Sequence, residues 1–181
     1  MKNLHPEEQK ELFQRIKDAR ALGKTTNYGA VYGVGAETMA RSTGLPLQQC
    51  TILLKAYWGK NWSVKEIAKA CIVKEIDGQM WLFNPVSKFW YSLRYMKDRF
   101  STLNQGTGVY IFDNYVKGAR KEGIKMCGQF HDEIIFPLTI GGQTQVTEIL
   151  KNVIKNINDK MKLNREMGVD IQFDNNYAQI H

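Results

Sequence analysis

Apolar residues recur at helical spacing through Leu12, Phe13 and Ile16, behind a Pro6-Glu7-Glu8 opening that suits a first helical turn. The pattern predicts a helix over residues 6–21, with Gly23 as a point of break or bend. A second helix is predicted over 45–57, opened by Pro46. A third is predicted over 63–71, with Ser63 as N-cap and Glu66 completing a capping box. The period then changes. Residues 72–83 read as a hairpin turning on Asp77-Gly78, and Asn84-Pro85 ends its second strand. Residues 88–99 are aromatic and basic, which suits either a track for a nucleic-acid backbone or a half-buried surface segment. Residues 99–120 read as a long helix carrying Leu103, Val109, Tyr110, Phe112 and Val116. Gly106 and Gly108 inside it cost about 1 kcal/mol each relative to alanine, which points to close packing or close ligand approach. Two runs rich in β-formers, around 124–130 and 134–138, flank the polar apex His131-Asp132-Glu133 and predict strand, tight turn, strand. Gly141-Gly142 makes a loop, residues 145–161 an amphipathic helix through Val146, Leu150 and Val153, and 168–173 a short final strand.

The 181 residues suit one domain, or one and a half, with room for a core. Hydrophobic residues make up 43% and charged residues 24%, which excludes a chain too polar to fold. No apolar run approaches the ~20 residues of a membrane span, and the N-terminus shows no signal-peptide core, so no membrane partner is expected. Cys50, Cys71 and Cys127 form neither a metal spacing nor a disulfide framework. A reduced, cytoplasmic protein is the expectation. The formal net charge of +7 favours a polyanionic partner.

Two patterns carry candidate chemistry. The acidic pair Asp132-Glu133 between strands is costly to bury unless it meets a cation or a donor, and hard divalent cations prefer oxygen ligands. A solvent-facing hairpin tip is the plain alternative. Arg20, Lys24, Tyr28 and Tyr32 recur every four residues and so form one slanted stripe on a helix, each step drifting about 40°. The two cations lie toward the stripe's N-terminal end, where the macrodipole disfavours them unless an anion is bound. A triphosphate would satisfy both, with the tyrosine rings further along to pack on a base or sugar. An exposed amphipathic stripe accounts for the same spacing. Gly29, Gly33 and Gly35 match neither known phosphate-loop spacing, and no strand precedes them.

Taken in order, these pieces resemble the C-terminal part of a family A, polymerase I-type DNA polymerase. Arg20, Lys24, Tyr28 and Tyr32-Gly33 look like that family's motif B, the nucleotide-binding helix of the fingers. Gln129-Phe130-His131-Asp132-Glu133 looks like its motif C, on the palm hairpin. Asp77-Gly78 with Asn84-Pro85 matches a family hairpin, and Asn104-Gln105-Gly106-Thr107 the helix beneath the primer end. His181 stands where such enzymes tend to stop. The resemblance spans essentially the whole chain. It implies an α+β fold, with helical fingers at 1–71 and, at 72–181, part of an antiparallel palm sheet with packed helices. It implies that Arg20 and Lys24 grip the triphosphate of an incoming dNTP, with Lys24 a candidate proton donor to pyrophosphate. Tyr28 would pack on the deoxyribose and Tyr32 near the templating base. Asp132 would bind catalytic Mg²⁺, with Glu133 a weaker partner and His131 near the primer terminus. Gln105 and Gln129 would touch the minor groove of primer–template DNA, Lys97 could reach a phosphate, and Arg99 is a further DNA-binding candidate. Lys97 and Ser101 stand where members often hold Arg or His and Asn, which weakens the expected fidelity contacts.

One part of the family pattern is missing. Two-metal phosphoryl transfer needs carboxylates that hold both ions, and family A palms take the first from an Asp-Tyr-Ser-like strand upstream of motif B. The 19 residues before Arg20 contain none, and Asp18 falls on the helix itself. The expectation is therefore the C-terminal subunit of a split, phage-encoded polymerase. A partner chain would supply the thumb, the first aspartate and any exonuclease, the Mg²⁺ site would be shared, and the chain alone would be inactive and poorly soluble. The rivals are a piece of a longer polymerase, a non-catalytic DNA-binding module derived from one, and, more distantly, a metal nuclease.

Overall fold

The computed structural model describes residues 5–180 and has an α+β fold; His181 lies outside the described residues. The chain forms two compact units. One takes the residues up to Asn84 together with Phe89–Asn104, and the other takes Pro85–Lys88 with the residues from Gln105 onward.

In the first unit, helix α1 (Pro6–Val31) runs through Gly23 without a break. One glycine costs about 1 kcal/mol, too little to end a helix flanked by Ala19, Ala21, Leu22 and Lys24. After a turn with Gly33 at φ 71°, α2 (Ala36–Thr43) follows, and Gly44 closes it in the left-handed region at φ 72°. Sequence pattern gave no sign of α2, because eight residues are barely two turns. Then come α3 (Leu47–Lys60) and α4 (Trp62–Ala70). Ala30, Met39 and Cys50, one from each of the first three helices, are fully buried. The Tyr57 hydroxyl on α3 donates to Asn27 Oδ1 at 2.9 Å, fixing α1 one residue from Tyr28.

The expected Ser63 capping box does not form. Asn61 ends α3, its backbone N–H and its side-chain amide both reaching the Tyr57 carbonyl, and it is at once the N-cap of α4. Ser63 therefore lies inside the helix, and Glu66 pairs with Lys69 at 2.8 Å.

Strands β1 (Val73–Ile76), β2 (Gln79–Phe83) and β3 (Trp90–Leu93) form an antiparallel sheet in that order. Asp77 and Gly78 both take positive φ, 51° and 76°, as the two-residue turn between right-twisted strands requires. The aromatic, basic segment expected to lie on the surface supplies β3. Asn84 is fully buried: its N–H donates to the Phe89 carbonyl and its amide to the Leu103 carbonyl at 3.2 Å.

Helix α5 (Arg99–Lys121) continues into the second unit, which also holds β4 (Gly128–Phe130), β5 (Glu133–Ile135) and α6 (Gln143–Met161). Its core joins Ile111, Tyr115 and Ala119 of α5 to Val146, Leu150, Val153 and Ile157 of α6. At Gly118 a β-carbon would lie 2.6 Å from Val153 Cγ1, so the approach there demands glycine. Of the two glycines expected to mark close packing, Gly106 is buried, while Gly108 has open space around it. The final strand expected at 168–173 does not form. A strand needs a neighbour to bond, and this segment is held otherwise: the Asn158 amide bonds the Met167 backbone in both directions, at 2.8 and 2.9 Å, and Val169 and Ile171 pack on the core.

Tyr115 is 7% exposed, and its hydroxyl has no hydrogen-bond partner among the described residues. Burial pushes its pKa up to about 12. Tyr115→Phe should therefore stabilise the fold by about 1 kcal/mol at neutral pH, since an unpaired buried hydroxyl carries its full desolvation cost. The raised pKa means the native state holds the phenolic proton more tightly than the unfolded chain does. That contribution is intact below pH 10 and lost as pH rises toward 12. Urea melts from pH 8 to 12 should show a smaller alkaline loss in the phenylalanine variant. A variant less stable than the parent at neutral pH would show that the hydroxyl finds a partner in solution.

Candidate active site

In the first unit, Arg20, Lys24, Tyr28 and Tyr32 all stand exposed along α1, the tyrosines at 58% and 44%. The outward direction follows from packing: Ala30 faces the neighbouring helices and turns the stripe away. From Arg20 to Tyr32 the rise is roughly 18 Å at 1.5 Å per residue. Neither Arg20 nor Lys24 has a carboxylate partner among the described residues. The macrodipole argument does not hold, however. Helix α1 begins at Pro6, so both cations lie mid-helix, beyond the first turn in which the dipole acts. The case for an anion rests on two unpaired cations one turn apart.

Lys97 joins this surface. Its side chain lies beside Gly33, where a β-carbon would stand 3.5 Å from Lys97 Cδ. Lys97 is therefore next to the end of the stripe, a proximity that sequence separation hid. Its ammonium lies 5.8 Å from the Tyr95 ring centre. Arg99 is turned inward: half-buried, it donates Nε to the Met96 carbonyl at 2.9 Å. It also opposes the rise that burial imposes on the Cys71 thiol pKa. Ser101 is buried and donates to the Asp98 carbonyl.

In the second unit, β4 and β5 pair Gln129 with Ile134 and Phe130 with Glu133, leaving His131 and Asp132 as the two-residue turn. His131 takes φ 44°, and Asp132 is not in the left-handed region. Positive φ at the first central position alone is a pattern that favours glycine, so a histidine there is held at a backbone cost. The turn places His131 and Asp132 in solvent, while Glu133 is half-buried and already engaged. Asp132 has no hydrogen bond or ion pair among the described residues. Gln129 is exposed one residue before Phe130, whose ring lies 6.2 Å from that of Tyr177. Gln105 is exposed on α5.

The donor set at this apex fits one hard cation in part. Mg²⁺ is held by one or two carboxylates together with water and substrate phosphates, and Asp132 and Glu133 supply those carboxylates. Among the described residues no group of three or more His, Cys, Asp or Glu side chains gathers as a cation site. A second ion would need ligands from elsewhere. No helix of the described residues is long and apolar enough to cross a membrane.

With this geometry in place, the fold can be compared with known structures. It matches the POL domain of Pol1 from M. smegmatis, in complex with DNA primer-template and dNTP, at a TM-score of 0.59 and 16% identity. The match covers 76% of this chain and 27% of that one, so the fold is shared with part of that domain. In sequence the chain is similar to DNA polymerase I of Helicobacter pylori strain J99 and of strain 26695, each 22% identical over 176 residues. These alignments cover 88% of this chain and 19% of each relative, so the chain spans about a fifth of their length. No family model matches the sequence. The chain is thus similar in sequence to part of DNA polymerase I and in fold to part of a polymerase domain.

Proposed function

We propose that this chain is the fingers-and-palm part of a family A DNA polymerase. It would add dNTPs to the 3′ end of a primer on template DNA, with residues 1–71 as fingers and 72–181 as the C-terminal palm. The reading is carried by two features, one in each compact unit of a chain whose fold resembles part of a polymerase domain. One is the exposed stripe of Arg20, Lys24, Tyr28 and Tyr32, whose two cations have no carboxylate partner among the described residues; the other is a solvent-facing aspartate at a strained hairpin turn. Arg20 and Lys24 would bind the triphosphate and neutralise charge that shifts to the leaving pyrophosphate, and Lys24 would give it a proton. Tyr28 would hold the sugar and Tyr32 the templating base. Lys97 would meet a phosphate, and Gln105 and Gln129 the minor groove. Arg99, bonded inward, would reach DNA only by leaving the Met96 carbonyl. Mg²⁺, held by Asp132 with Glu133, would supply charge neutralisation at the transferring phosphoryl group. His131 would orient the primer end.

Two carboxylates do not hold two ions, so the first catalytic aspartate and the thumb would come from outside these residues, from a partner chain in a phage-encoded split enzyme. Primer extension with the purified chain, alone and after co-expression with a candidate partner, tests this directly. The expected outcome is no extension by the chain alone and full extension by the pair. Extension by the pure chain would refute the shared site. Mass spectrometry of what co-purifies from the native host distinguishes a partner from a longer parent protein, which would yield peptides preceding Met1.

A further inference from the structure

One face of the β1–β2–β3 sheet is left without a role by the polymerase reading. Pairing sets Lys74 opposite Trp81, Trp81 opposite Ser92, and Phe83 opposite Trp90. Side chains alternate along a strand, so Lys74, Trp81, Phe83 and Trp90 share one face. The other face carries Leu82 and Leu93, both fully buried. Glu75 falls on that buried side by the same alternation and Asp77 sits in the turn, so no strand position on the aromatic face is acidic. The Phe83 and Trp90 rings lie 5.2 Å apart. The Lys74 ammonium stands 3.9 Å from the centre of the Trp90 ring, which remains 37% exposed. Just past β3, the Arg94 guanidinium lies 5.3 Å from the half-exposed ring of Tyr95.

We propose that this face is a stacking platform for single-stranded nucleic acid, with a base on Trp90 and phosphates on Lys74 and Arg94. Every base has a π-face, so an indole beside cations binds a flexible strand with little regard to sequence. Base stacking on an indole outweighs one exposed cation–π contact, so an arriving base displaces the Lys74 ammonium from the ring, and the strand's own phosphate receives it. Charge complementarity selects this occupant over a protein surface. A protein partner covering Trp90 would desolvate Lys74 and has to supply a carboxylate, whereas a strand delivers an anion at every nucleotide. The inference stands on this sheet alone, whatever chemistry the assembled protein performs.

The test is fluorescence anisotropy of labelled oligo(dT) with the full chain, titrated at several salt concentrations. Trp90→Ala should weaken binding about ten-fold or more, and Trp90→Phe should keep most of it. Lys74→Gln should lower the slope of log affinity against log salt by about 0.7, one phosphate's share for a single strand. Where Trp90→Ala fails to fold, the Lys74→Gln slope decides. An unchanged slope, or a folded Trp90→Ala chain that binds oligo(dT) as the parent does, overturns the proposal. So does a dimer seen by sedimentation that Trp90→Ala disperses while oligo(dT) binding persists, because the face then belongs to a second copy of the chain.

Discussion

Asp132→Ala should abolish primer extension by the assembled enzyme, a loss of roughly a thousand-fold or more in kcat, while primer–template affinity changes little. The asymmetry follows from position. Asp132 occupies the second place of a tight hairpin turn, exposed and free of any bond among the described residues, so its removal leaves no orphaned partner in the fold. What it takes away is the negative charge that would hold the proposed divalent cation, and such a cation contributes several kcal/mol to a phosphoryl-transfer transition state. Asp132→Asn is the sharper variant, since it keeps size and turn preference and removes only the charge. Glu133→Gln should cost less, because Glu133 is half-buried and already engaged. Single-turnover extension and a DNA-binding titration, run side by side, separate chemistry from binding. If Asp132→Asn extends primers at the parent rate, this chain is a DNA-binding module derived from a polymerase.

The second large effect is expected on α1. Lys24→Ala should lower kcat for dNTP addition by about a hundred-fold, and Arg20→Ala should raise the KM for dNTP by a similar order, the range seen when a single positioned charge is lost from a transition state. Neither cation is neutralised within the described chain, so each is free to act on an anion, and each substitution leaves no buried carboxylate behind. Both positions are exposed in the middle of a 26-residue helix, where alanine is a good helix former, so melting temperature should hold or rise slightly. Lys24→Arg keeps the charge but not the compact ammonium, and it should recover dNTP affinity more fully than rate. A parallel change for dNTP and for inorganic triphosphate would locate the contact on the phosphates. A change for dNTP alone would move it to the sugar and base.

Much of this surface was legible from residue order. The spacing of Arg20, Lys24, Tyr28 and Tyr32 needs only the helical repeat to become a stripe, and Asp77-Gly78 needs only two positive φ values to become a turn. The polar apex between two β-rich runs located the hairpin in the same way. The failures are equally physical. Sequence put a break or bend at Gly23, between the two cations, but α1 runs from Pro6 to Val31 and carries both mid-helix. Ser63 met every local rule for an N-cap and lost to Asn61, because the preceding helix ends there.

What the sequence determined by itself is local: which segments repeat at 3.6 or alternate at two, and where the backbone must turn. Those properties depend on neighbours within a few residues, and they carried α1, α3, α5, α6 and both hairpins. The tertiary structure alone decided everything that needs a distant partner. It made β3 a strand by giving it β2 to bond, and it left 168–173 without a ladder because no neighbouring strand pairs with it. It set Lys97 beside Gly33, and by burying Ala30 it turned the stripe of Arg20, Lys24, Tyr28 and Tyr32 to solvent. A helix or strand fixes the angle between its own side chains, but only packing fixes which of those angles faces water.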